Sequence, residues 1–210
     1  MGRERTIVHL SDLHFGSLNE LTVRPLVDAL VGFHPDVIAV SGDLTQRARI
    51  REFNQARAFL DELPSPQIVV PGNHDVPLHN LFSRFWHRLA RYCQYITPDL
   101  EPFWADKSIA IAGINTARSA TIKSGRVSRR QVARICERFQ AVPPGITRII
   151  VAHHPFDLPE GVGDHHLVGR AARAMELFAR SEIDVFLTGH LHTSRTRETA
   201  AGYRISGRSA

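Results

Sequence analysis

Five short segments carry the side chains that could do chemistry in this chain. They are Ser11-Asp12-Leu13-His14, Ser41-Gly42-Asp43, Gly72-Asn73-His74-Asp75, Ala152-His153-His154-Pro155 and Gly189-His190-Leu191-His192. Carboxylates, imidazoles and an amide oxygen together suit divalent transition-metal ions. Asp12 and His14 stand two apart, as do His190 and His192. On an extended backbone each pair leaves from the same side and can hold one ion together. Two such ions, about 3.5–4 Å apart, can clamp a phosphate and activate water between them, provided one carboxylate bridges the pair.

Each segment follows a run of apolar, β-branched residues: Thr6-Ile7-Val8, Val37-Ile38-Ala39-Val40, Ile68-Val69-Val70, Ile149-Ile150-Val151 and Val185-Phe186-Leu187. Helical spacing fills the gaps between them. Leu21 to Phe33 reads as one helix, stopped by His34-Pro35, and Arg51 to Leu63 as another, with Phe53, Ala56, Phe59, Leu60 and Leu63 in one stripe. Ser108 to Ile114 reads as a strand and Asn115 to Arg126 as turns. Ser128 and Gln131 stand at capping-box spacing before a helix to Phe139, and Val168 to Ser181 is the last helix. Strands alternating with helices imply an open α/β sheet, where ligands collect outside the carboxyl ends of the strands. Five strand ends then deliver these side chains to one rim.

The pattern resembles the calcineurin-like metallophosphoesterases, whose signature runs D-x-H, G-D, G-N-H-D/E, H and G-H-x-H in that order. An isolated Asp after a strand is most often a helix N-cap; it is five elements in order, each behind a strand, that carry the likeness. The wording from His9 to Gly16, with Ser41-Gly42-Asp43-Leu44-Thr45 and His153-His154-Pro155-Phe156, is similar to the branch of class III cyclic-nucleotide phosphodiesterases and related bacterial phosphohydrolases. The resemblance covers about residues 6 to 193.

It implies a four-layer αββα sandwich forming a single domain over residues 1–210, with a cap-like insertion at roughly 78–106. It implies two divalent ions, Mn²⁺ or Fe²⁺/Fe³⁺, with Zn²⁺ an alternative. Asp12, His14, Asp43 and His192 would hold the first, and Asp43, Asn73, His153 and His190 the second, so that Asp43 bridges. His153 is preferred to His154, which is left to the substrate. His74 would be the general acid, its ring oriented by Asp75, and Asn115 and Arg118 would contact the substrate, with an ordinary turn the competing reading of Asn115. The implied reaction is hydrolysis of a small phosphodiester such as a 3′,5′-cyclic nucleotide. A nuclease, a lipid or nucleotide pyrophosphatase and a non-catalytic metal-binding scaffold are the alternatives. Family members usually continue past G-H-x-H with strands that complete the second sheet. Here Tyr203 to Ser206 reads as one strand and the chain stops at Ala210. That end reads as truncated, with an unpaired edge that favours a homodimer.

The remaining residues bound this reading. A chain of 210 residues with 43% hydrophobic and 22% charged side chains has ordinary globular composition. Its apolar runs last only a few residues, too short for a membrane span. The charged start, Met1 to Arg5, lacks a secretory leader, and Cys93 and Cys136 form no C-x-x-C pair, so a reduced cytoplasmic setting is expected. Lys and Arg number 26 against 21 for Asp and Glu. That excess suits an anionic substrate, and nucleic acid is the lesser reading. The aromatic and Arg-rich stretch Phe82 to Tyr92 reads as an amphipathic cap helix. His9 reads as a near-core residue, His34, His79 and His87 as surface or cap residues, and Asp164-His165-His166 as part of an exposed Gly-rich loop.

Overall fold

The computed structural model describes residues 4–77, 89–117, 124–158, 161–192, 195–198 and 204–207, the last two stretches by backbone alone. The stretches 78–88 and 118–123, with His79, His87, Arg118 and most of the expected cap helix, lie outside the described residues.

The strand runs expected from the sequence divide between two sheets. The first holds β1 (Ile7–Leu10), β2 (Val37–Val40) and β3 (Gln67–Val69), all parallel, in the order β1-β2-β3. The second holds β4 (Phe103–Ala105), β5 (Ile109–Ile114), β6 (Thr147–Ala152), β7 (Val185–Thr188), β8 (Arg195–Glu198) and β9 (Arg204–Gly207). Its order is β4-β5-β6-β7-β9-β8, with β5, β6, β7 and β9 parallel and the two outer strands antiparallel.

Two-residue alternation along the strands sets the layers. Val37 and Ala39 of β2 join Ile109 and Ile111 of β5, Ile149 and Val151 of β6 and Leu187 of β7 in a core between the sheets. Their neighbours Ile38 and Val40 face outward onto α1 (Glu20–Gly32) and α2 (Ile50–Asp61), in a core that also includes Tyr92 of α3 (Ala90–Tyr95). Ala110, Ala112, Ile150 and Phe186 face the opposite way, onto α4 (Arg129–Gln140) and α5 (Ala171–Arg180). The result is the expected sequence of helices, sheet, sheet and helices. Arg5 pairs with Asp36 before β2 and Asp106 before β5, pinning the sheets together at the ends of the strands remote from the polar segments.

Several readings of the sequence are corrected. The open sheet read from the alternation of strands and helices is two sheets, as the resemblance implied, and the motif strands split between them. In α1 only Val27 and Leu30 are buried; Leu21, Val31 and Phe33 are exposed. The last helix begins at Ala171, because Gly169 N–H instead donates to the Gly125 carbonyl and Val168 N–H to that of Pro155. Strand β8 was missed, since Arg195-Thr196-Arg197-Glu198 has no apolar alternation. Among the described residues the first sheet has three strands and the second six, with β9 where Tyr203 to Ser206 was read as a strand.

Candidate metal centre

The loops after β1, β2 and β3 interlock. Asp12 N–H donates to the Gly42 carbonyl at 3.1 Å, His14 N–H to that of Asp43 at 2.9 Å and Phe15 N–H to that of Leu44 at 2.8 Å. Gly42 lies at φ +89°, and a Cβ there would stand 2.7 Å from Gly72 N; a Cβ on Gly72 would stand 2.4 Å from Asp43 N. Only glycine lets these loops approach so closely. The Asp75 carboxylate then ties the second loop to the third, accepting from Leu44 N at 3.2 Å, Thr45 N at 2.9 Å, Thr45 Oγ at 3.0 Å and Gly72 N at 2.9 Å.

From the second sheet, the β7 loop crosses to the first. His190 N–H lies 3.1 and 3.3 Å from the two Asp12 carboxylate oxygens, and Ser11 Oγ also donates to that carboxylate. Asp12, His14, Asp43, His190 and His192 all have positive φ, between 48° and 72°. Such a conformation costs a non-glycine residue about 1–2 kcal/mol and clusters where surrounding structure enforces it for function. The paired residues therefore converge through left-handed turns, where an extended backbone was expected.

Among the described residues four groups of donors close to within 4.8 Å: Asp12 with His14 and His192; His14 with Asp43 and His74; Asp12 with Asp43 and His153; and His153 with His154 and His190. The Asp43 carboxylate lies 3.3 Å from His153 Nε2 and 4.0 Å from His14 Nε2, and Asp12 lies 3.5 Å from His192 Nε2. Asn73 Oδ1 is 3.0 Å from His153 Nε2. His153 Nδ1–H donates to the Ser41 carbonyl at 2.9 Å, which fixes its tautomer and turns Nε2 toward the carboxylates.

Asp12 and Asp43 are both buried, and among the described residues each has only histidines as ion-pair partners. Two desolvated carboxylates among imidazoles, with no Lys or Arg beside them, fit divalent cations by charge and by donor type. Burial lowers the His190 imidazole to about 3, helped by His153, and lowers His14. For His153 burial acts downward, but Asp43 outweighs it and raises the ring to about 9. Burial would raise Asp43, yet His153 holds it below the ordinary carboxylate range. Asp75 is raised by burial and by the charge of Asp43.

All seven expected ligands, Asp12, His14, Asp43, Asn73, His153, His190 and His192, thus come to one rim, and His154 joins them. His154 is buried, its Nδ1 2.8 Å from Thr116 Oγ, and a Cβ on Gly125 would strike its ring at 2.4 Å. His74 stands edge-on to His14, ring centroids 4.8 Å apart. Its Nδ1–H donates to the Gln46 carbonyl at 2.8 Å. The reading that Asp75 orients this ring is therefore corrected: the four bonds above occupy Asp75 elsewhere. Asn115 takes the turn that was its competing reading. It is buried, with its Oδ1 accepting from Ala117 N at 2.9 Å in a turn. His166 was assigned to an exposed loop but lies half-buried, with Nδ1 3.1 Å from His190 Nε2. His34 is exposed, and His9 is half-buried with Nε2 2.8 Å from Ser41 Oγ, as expected.

The sequence model of the calcineurin-like phosphoesterases matches residues 5–194. The chain belongs to that family. It is 35% identical over 80 residues to a glycerophosphodiester phosphodiesterase of Enterobacter lignolyticus, a match covering 33% of this chain and 29% of that protein. It is 24% identical to a probable cyclic nucleotide phosphodiesterase of Synechococcus, covering 89% of this chain and 73% of the relative. In fold it superposes on a dimetal phosphatase from Danio rerio with a TM-score of 0.72 at 13% identity, over 98% of this chain and 87% of that one.

Proposed function

We propose that this chain is a dinuclear-metal phosphodiesterase acting on small phosphodiesters, with 3′,5′-cyclic nucleotides the leading substrate class. The observation that carries the proposal is the place of Asp43, a buried carboxylate 3.3 Å from His153 Nε2 and 4.0 Å from His14 Nε2, between the two ligand sets. Asp12, His14, Asp43 and His192 would hold one ion, and Asp43, Asn73, His153 and His190 the other. Bound there, two divalent ions would lower the pKa of an attacking water and offset charge on the phosphoryl oxygens.

The chain's own groups prepare the rest. The Gln46 carbonyl takes the Nδ1–H of His74, so Nε2 is the nitrogen that can hold a proton for the departing alkoxide. The His14 ring against its edge restricts His74 to that direction. Ser41 and Thr116 hold His153 and His154 by their Nδ1 atoms, so neither ring needs to reorganise during turnover. Among the described residues no helix is long and apolar enough to cross a membrane. A cytoplasmic setting and a homodimer remain part of this proposal.

The names of the relatives support diesters over monoesters. Assays with Mn²⁺ on bis-p-nitrophenyl phosphate, p-nitrophenyl phosphate, cyclic AMP and nucleoside 2′,3′-cyclic phosphates test this. Faster hydrolysis of the monoester than of every diester would overturn it.

A further inference from the structure

Residues 164–169 are held at the rim by three anchoring hydrogen bonds. Val168 N–H donates to the Pro155 carbonyl at 2.9 Å, Gly169 N–H to that of Gly125 at 2.8 Å and Ser124 Oγ–H to that of His165 at 3.3 Å. Between these anchors Asp164–His166 forms one 3₁₀ turn, closed by His166 N–H to the Gly163 carbonyl at 3.1 Å and Leu167 N–H to that of Asp164 at 3.0 Å. The turn sets His166 Nδ1 3.1 Å from His190 Nε2, with ring centroids 5.1 Å apart. At that distance one ring nitrogen donates and the other accepts.

We propose that His166 is a positioning residue for the second ion: it fixes the ring orientation and tautomer of His190 from outside the donor set. This rests on the metal-site reading above. One observation separates the role from direct ligation. His190 groups with His153 and His154 within 4.8 Å, whereas none of the four donor groups contains His166. A hydrogen bond at one nitrogen of a ligating imidazole leaves the other for the ion, and losing such a partner typically weakens metal binding about 10- to 100-fold. The need here is plain from the backbone. His190 lies at φ +72°, and its ring meets those of His153 and His154 at centroid distances of 5.1 and 4.7 Å. Among the described residues, His166 supplies the hydrogen bond to that ring.

The test is calorimetric titration of Mn²⁺ into metal-free full-length protein, comparing wild type with His166→Ala, His166→Asn and His190→Ala. Wild type should bind two ions. His166→Ala should weaken one of them about 10- to 100-fold and leave the other unchanged. His166→Asn, whose amide reaches the place of Nδ1, should recover most of that loss. In the His190→Ala background, His166→Ala should add nothing, because its partner is already gone. Melting in chelator should be the same for wild type and His166→Ala. Wild-type protein that takes up no metal would overturn the site reading and this proposal with it. Two tight ions in both wild type and His166→Ala would overturn this proposal alone, as would equal weakening of both ions with a lowered melting temperature, the mark of a general structural role.

Discussion

The two halves of the sandwich bring different things to the rim. The three-stranded half supplies Asp12, His14, Asp43, Asn73 and His74: both carboxylates, the amide, one imidazole and the proposed proton donor. The six-stranded half supplies only imidazoles, from His153, His154, His190 and His192. The first half fixes its loops to one another through backbone bonds and the Asp75 carboxylate. The second reaches across, with His190 N–H on Asp12 and His153 Nδ1–H on the Ser41 carbonyl. Negative charge is thus held in rigid, buried loops of one half, and four further imidazoles arrive from the facing sheet. Such a centre exists only when both halves are docked through their shared core.

The sharpest way to break this contrast is Asp43→Asn. The amide keeps the shape and an oxygen for His74 N–H, which lies 2.8 Å from Oδ1, but removes the charge. Diester hydrolysis should fall by more than the roughly 100-fold that loss of a supporting contact can cost. The rise in melting temperature on adding Mn²⁺, a mass-action effect, should vanish as well. His192→Ala removes a side chain that is 56% exposed and belongs to one donor group, so it should lose one ion only. Elemental analysis decides between them; two bound ions in Asp43→Asn would remove it from the bridging place.

His74→Ala should separate chemistry from metal binding within the first half. Metal content should stay at the wild-type level, while kcat for alkyl diesters falls about 10²- to 10⁴-fold. The loss should be smaller for bis-p-nitrophenyl phosphate, whose leaving group scarcely needs a proton. Equal losses on both substrates would reduce His74 to a phosphate contact.

How much of this was legible follows the same division. The ligands were readable because each sits in a short polar segment directly after an apolar strand run. The capping box at Ser128 and Gln131 was equally plain, because it is local: Ser128 Oγ accepts from Gln131 N at 3.2 Å and Gln131 Oε1 from Ser128 N at 3.0 Å. What escaped was long-range. The carbonyl that orients His74 belongs to Gln46, and a backbone acceptor leaves no mark in residue types. His166 was masked by its Gly-rich surroundings, although a further His pair in a chain whose other His pairs mark the rim was a signal. The left-handed turns at Asp12, His14, Asp43, His190 and His192 could not be read, since none is a glycine.

Gly189→Ala probes the contact between the halves themselves. A Cβ there would lie 1.8 Å from Ser11 Oγ and 2.8 Å from an Asp12 carboxylate oxygen. Overpacking of that kind costs about 1–3 kcal/mol. Because it displaces Asp12, Mn²⁺ affinity should fall together with the melting temperature. Gly32→Ala, with nothing within 4 Å of the added carbon, should change neither by a comparable amount. A Gly189→Ala protein with wild-type metal affinity would mean that the halves meet through their core alone.

The smallest effect is expected from Ser128→Ala, at the start of α4 in the six-stranded half. It removes one side of the capping box and should lower stability by about 1 kcal/mol, seen as a shift of the denaturation midpoint at unchanged slope. Gln131 Nε2 would still donate to the Asn115 carbonyl at 2.9 Å, next to Thr116 and the His154 it holds. Metal affinity and kcat/KM should therefore stay at wild-type values. Gln131→Leu keeps the bulk but loses both the cap and the Asn115 bond, so it should cost more stability and disturb His154 in addition. If Ser128→Ala alone reduced activity as much as Gln131→Leu, the helix cap itself would be setting the imidazoles of the second half, and the scaffold and the rim could no longer be treated as separable.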